Sequence, residues 1–105
     1  MSRLVWLLVA FGVMMAGQAS AQPIGDPAAG RRLAEAWCSE CHAITRTPSG
    51  APRQGPDFID VARRPSTTPL SLNVFLRSNH DNMPNFILQR DEADDLVAYI
   101  MSLKE

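Results

Sequence analysis

The sequence predicts an all-α domain of three main helices joined by long loops. Apolar residues recur at helical spacing in three separate stretches, each opened by a capping residue or an acidic first turn. No run of alternating strand residues occurs. A stretch rich in proline and glycine near the middle interrupts regular structure of either kind.

The chain has 105 residues, and its start reads as a secretory leader, Met1–Ala21. Arg3 supplies the positive start and Leu4–Ala16 is an apolar run without charge. Ala19-Ser20-Ala21 matches a small-x-small cleavage site. The apolar run is shorter than the ~20 residues a transmembrane helix needs, so cleavage before Gln22 and no stable membrane insertion afterwards are expected. Residues 22–105 then form one domain, and its formal charge moves from −1 to −2 as Arg3 leaves. So weak a balance argues against a nucleic-acid partner, which calls for a basic surface.

Asp26-Pro27 opens the first helix: aspartate is a good N-cap, and proline suits a position whose N–H has no helical partner. Gly30, Leu33, Ala34, Trp37 and Cys41 share one face, and the helix is expected to run to about Ser39 or Cys41. Gly30 costs about 1 kcal/mol against alanine there, which suggests close approach by another helix. Residues 44–65 hold Pro48, Pro52, Pro56 and Pro65 with Gly50 and Gly55. So long an irregular stretch tends to be functional; a short helical piece is expected around Asp57–Arg63. Thr68-Pro69 repeats the cap and start, with Leu72, Phe75 and Leu76 on one face of a helix expected from Pro69 to Ser78. The last helix begins near Asp91. Asp91, Glu92, Asp94 and Asp95 enrich its first turns, where the helix dipole favours negative charge, and Leu96, Tyr99, Ile100 and Leu103 line one face.

Chemistry concentrates in Cys38-Ser39-Glu40-Cys41-His42, the attachment signature of c-type haem. Two thiols a helical turn apart can form thioethers with the two vinyl groups on a haem edge. The adjacent His42 can offer an imidazole nitrogen to the iron. A domain this small also lacks core material, and a disulfide between cysteines so close would add little stability; an inserted haem would supply the missing core. Three other readings compete. A thioredoxin-like pair expects a βαβ setting, a structural zinc site wants four ligands where Cys38, Cys41, His42 and His80 are the candidates, and a plain disulfide leaves His42 unexplained.

The sixth iron position separates a carrier, which fills it, from a catalyst or sensor, which leaves it open. Met83, Met101 and His80 are the candidates. Met101 lies beside the packing face of the last helix, where a core role suffices. Met83 sits in a loop stiffened by Pro84, and its thioether can reach iron without distorting a helix.

Asp26-Pro27-Ala28-Ala29-Gly30, the Cys-Ser-Glu-Cys-His motif, Gly55-Pro56-Asp57-Phe58, His80-Asp81-Asn82-Met83-Pro84-Asn85-Phe86 and Asp95-Leu96-Val97-Ala98-Tyr99-Ile100 occur in that order. With them the chain resembles the small bacterial class I (monohaem) cytochromes c over its mature region. The resemblance implies the cytochrome c fold around one covalent haem c. It implies Cys38 and Cys41 as the attachment sites, His42 and Met83 as axial ligands, and Phe58 in the haem pocket. Pro56 would accept a hydrogen bond from the iron-bound histidine, and Gly30 would cross the last helix near Tyr99 and Leu96. Asp57 stands where asparagine is more usual. Arg53, Arg63 and Arg64 are candidates for the haem propionates.

The implied function is periplasmic electron transfer rather than catalysis, with redox proteins docking transiently at the exposed haem edge. Two alternatives remain: the cytochrome subunit of a periplasmic dehydrogenase, and a haem sensor or enzyme with a labile Met83.

Overall fold

The computed structural model describes residue 17 and residues 24–78 and 82–105; the leader and His80 fall outside the described residues, apart from Gly17. Among the described residues four helices follow in order: α1 Pro27–Trp37, α2 Phe58–Arg63, α3 Pro69–Leu76 and α4 Arg90–Ser102. No strand occurs among the described residues, and the all-α expectation holds.

Each helix start has a local cause. Asp26 is extended (φ −103°, ψ 112°), and its carboxylate accepts from Ala28 N at 2.9 Å, satisfying one of the donors a helix leaves open. At α3, Thr68 and Ser71 cap reciprocally: Ser71 N donates to Thr68 Oγ1 at 3.0 Å and Thr68 N to Ser71 Oγ at 2.8 Å. At α4, Gln89 N donates to Glu92 Oε2 at 2.8 Å.

The acidic first turns of α4 do more than complement its dipole. Asp95 Oδ1 accepts from Asp26 N at 2.7 Å, tying the cap of α1 to α4. Asp94 Oδ1 accepts from Asn73 Nδ2 at 2.8 Å, tying α3 to α4. Helix α4 is the centre of the packing, and α1 lies most extensively against it. The crossing needs a glycine: a Cβ at Gly30 would stand 1.9 Å from Asp95 O and 2.8 Å from Tyr99 Cβ. Leu96, Val97, Tyr99, Ile100 and Leu103 are buried with Ala34 of α1, Phe58, Ile59 and Ala62 of α2, and Leu72 of α3.

Two apolar positions depart from expectation. Phe75 shares the predicted face of α3 yet is half exposed, and Trp37 is 38% exposed although it follows the buried face of α1. Helix α3 buries only Leu72, because it meets α4 along a narrow line. Trp37 is the last residue of α1 and reaches beyond the crossing.

Candidate functional site

Helix α1 delivers the Cys-x-x-Cys-His segment. It stops at Trp37, short of the predicted Ser39–Cys41, but its helical sense persists for one more turn. Cys38 N donates to Ala34 O at 2.9 Å, and Cys38 O accepts from Cys41 N at 3.2 Å and His42 N at 2.9 Å. The two cysteines are not joined to each other by a disulfide; Cys38 is buried and Cys41 half-buried. Burial pushes the Cys38 thiol up to about 11, because an apolar surrounding disfavours thiolate.

His42 is held on several sides. Its Nδ1 lies 2.7 Å from Pro56 O. A carbonyl can only accept, so Nδ1 carries the proton and Nε2 is the nitrogen free to ligate a metal. The ring tilts against Phe58 at 46°, with centroids 5.2 Å apart. Gly55 lies against the same ring: a Cβ there would stand 2.4 Å from His42 Cε1. Residues 53–58 thus form a strap along the motif. Gly55 N donates to Cys41 O at 2.7 Å and Phe58 N to Ala43 O at 2.9 Å.

A cavity of about 310 Å³ opens beside Cys38 and is lined by Trp37, Met83, Pro84, Phe86, Leu88 and Leu96 among others. Its size is at the low end of the roughly 300–1,000 Å³ usual for small-molecule and cofactor clefts. Trp37 and Phe86 stack at its wall with centroids 6.0 Å apart and planes 9° apart. Asn82 takes a left-handed backbone (φ 65°), a conformation asparagine tolerates better than most residues; it turns the chain immediately before Met83. Met101 instead lines a separate, larger groove of about 830 Å³ between α3 and α4 that contains neither the cysteines nor His42.

The structure therefore gathers Cys38 and Met83 at one cavity, with Cys41 and His42 in the adjoining turn. Phe58 lies against the His42 ring and is not among the residues lining the cavity. Arg63 and Arg64 are exposed at the end of α2. Arg53, itself exposed, turns back onto the motif, donating to Ser39 O and, at 3.0 Å, to His42 O.

Other site-supporting residues escape sequence reasoning. Tyr99 was legible as an apolar face residue, but its hydroxyl also donates to Ile44 O at 2.6 Å, two residues beyond His42. Arg46 donates to Leu103 O at 2.9 Å and Ser102 O at 2.7 Å, where a cation suits a helix C-terminus. These contacts join residues more than fifty positions apart in the chain, and no local pattern announces them. The Trp37–Phe86 stack had a partial signal in the aromatic of the Met-Pro-x-Phe segment.

The donor set fits a covalent haem better than its competitors. Among the described residues no group of three His, Cys, Asp or Glu could hold a metal ion, and His80, the fourth zinc candidate, lies outside them. Among the described residues the strands of a thioredoxin setting are absent. Two thiols, an imidazole with one nitrogen already satisfied and a thioether beside an apolar cavity match what haem c requires.

Comparison with known proteins agrees. The family described as cytochrome c oxidase, cbb3-type, subunit III matches residues 25–100. Cytochrome c-552 of Bradyrhizobium diazoefficiens is 39% identical over 90 residues, covering 86% of each chain. The signature turn, the helices that carry it and these two likenesses together place the chain in the cytochrome c family, among the small monohaem bacterial cytochromes c that bind haem c covalently.

Proposed function

We propose that the mature chain is a periplasmic electron carrier, not an enzyme, with Cys38 and Cys41 as attachment sites and His42 and Met83 as the axial ligands. The observation that carries the reading is the hydrogen bond from His42 Nδ1 to Pro56 O. It presents Nε2 in a fixed orientation and raises its basicity. Met83, at the wall of the cavity beside Cys38, supplies the second ligand, and a thioether there favours the ferrous state and raises the potential. Haem supplies the one-electron Fe(III)/Fe(II) couple. Phe58, Trp37 and Phe86 surround the site with apolar surface that limits water. Redox partners dock briefly at the haem edge beside the cysteines, as weak electron-transfer encounters do.

The secretory leader, with cleavage before Gln22, supports the periplasmic setting. Among the described residues no helix is long and apolar enough to cross a membrane. The test uses the purified mature holoprotein. Its ferric spectrum should show the red-end charge-transfer absorption of a thioether–iron bond, and its ferrous form should fail to bind carbon monoxide at neutral pH. Ready carbon monoxide binding would instead establish the sensor or enzyme reading.

The matching family's description names an oxidase subunit, which favours a second reading: a subunit held by a larger periplasmic redox complex, a dehydrogenase among them. Gel filtration of native extract with haem staining separates the two. A lone small haem peak supports the free carrier; co-elution with a large complex supports the subunit.

A further inference from the structure

We propose that Arg53 is a positioning residue for His42, acting through the backbone of the haem-binding turn. Its Nη1 group donates to Ser39 O and, at 3.0 Å, to His42 O. One guanidinium nitrogen thus bridges two carbonyls on either side of Cys41. Ser39 O lies just beyond the end of α1, where carbonyls lose their helical partners, and a charge-assisted donor satisfies it more strongly than a neutral one.

Arg53 also opens the strap that manages the rest of His42. Gly55 N donates to Cys41 O at 2.7 Å, and Pro56 O faces His42 Nδ1 at 2.7 Å. The histidine is consequently held at its own carbonyl by Arg53 and at its ring by Pro56, and both holds belong to one four-residue segment. Without the arginine, the upstream end of the strap loses its anchor. The position of Pro56 O relative to the ring, which fixes the plane of the imidazole, then rests on the Gly55–Cys41 and Phe58–Ala43 bonds. Arg53 so placed points at the backbone of the motif, a different task from propionate binding.

The inference rests on His42 being an axial ligand, and the experiment keeps the two apart. Ferric holoproteins carrying Arg53→Met and Arg53→Lys are compared with the unaltered protein by NMR. Absence of hyperfine-shifted imidazole resonances in the unaltered protein would remove the ligand reading itself. With those resonances present, Arg53→Met, which keeps an apolar stem and removes the donors, should displace them. It should also speed solvent exchange of the His42 Nδ1 proton about tenfold, the order expected for losing a charge-assisted donor shared between two carbonyls. Arg53→Lys, which keeps a charged group able to donate to both carbonyls, should return both readouts towards the original values. Unaltered resonances and exchange in Arg53→Met overturn the proposal, and so does a displacement that Arg53→Lys leaves wholly uncorrected.

Discussion

At the scale of single residues, small side chains and backbone carbonyls decide what the reactive groups can do. His42 is useful because Pro56 O accepts a hydrogen bond from its Nδ1–H and Gly55 leaves room for the ring. Gly55→Ala would put a methyl group 2.4 Å from His42 Cε1. Overpacking of this kind costs about 1–3 kcal/mol, and here the yielding group is the proposed ligand. The variant should retain covalent haem, unfold at lower temperature and show an altered ferric spectrum; thermal melts and absorption spectra of the holoprotein check both. Met83→Ala removes the proposed thioether ligand. The ferrous variant should then bind carbon monoxide, and its midpoint potential should fall on the order of 0.1 V, a fraction of the ~0.8 V span that axial ligands command. An unchanged spectrum and potential would rule Met83 out.

At the scale of elements, α1 and α4 carry the structure, and the site hangs from their crossing. Helix propensity alone says that Gly30→Ala should stabilise α1 by about 1 kcal/mol. Packing says the reverse, since the new methyl group would fall 1.9 Å from Asp95 O. A backbone carbonyl inside a helix cannot swing aside as a flexible side chain can, so the helices must separate. The overpacking cost of about 1–3 kcal/mol should outweigh the propensity gain. Chemical denaturation of the Gly30→Ala holoprotein should therefore show net destabilisation, with the denaturant slope little changed. Asp95 reinforces the same crossing through Asp26 N. Tyr99 and Arg46 extend it to the segment after His42 by hydrogen bonds to Ile44 O, Leu103 O and Ser102 O.

At the scale of the molecule, the proposed haem cavity adjoins the core. The buried residues cluster along α4, while the cavity beside Cys38 borders Leu96, itself a core residue. A chain carrying both Cys38→Ala and Cys41→Ala should lose covalent haem and the stabilisation that a ligand bound only to the native state confers. Circular dichroism should show a broadened, low-temperature transition; a cooperative melt like that of the holoprotein would show that the core is complete without haem. The sequence by itself determined the helices, because capping and apolar spacing are local, and it predicted haem attachment at Cys38 and Cys41, because these residues and His42 lie close enough in the chain for their chemistry to be read from spacing. It also supplied an expectation for Met83 through its Met-Pro-x-Phe setting. Only the tertiary structure decided that Arg53 turns to the motif, that Trp37 stacks on Phe86 and that Asp94 and Asp95 fasten other helices. It likewise set Met101 on a separate groove. Each of these depends on how distant segments meet: a charged or aromatic residue carries no local mark of the partner it will find once α1 and α4 have crossed.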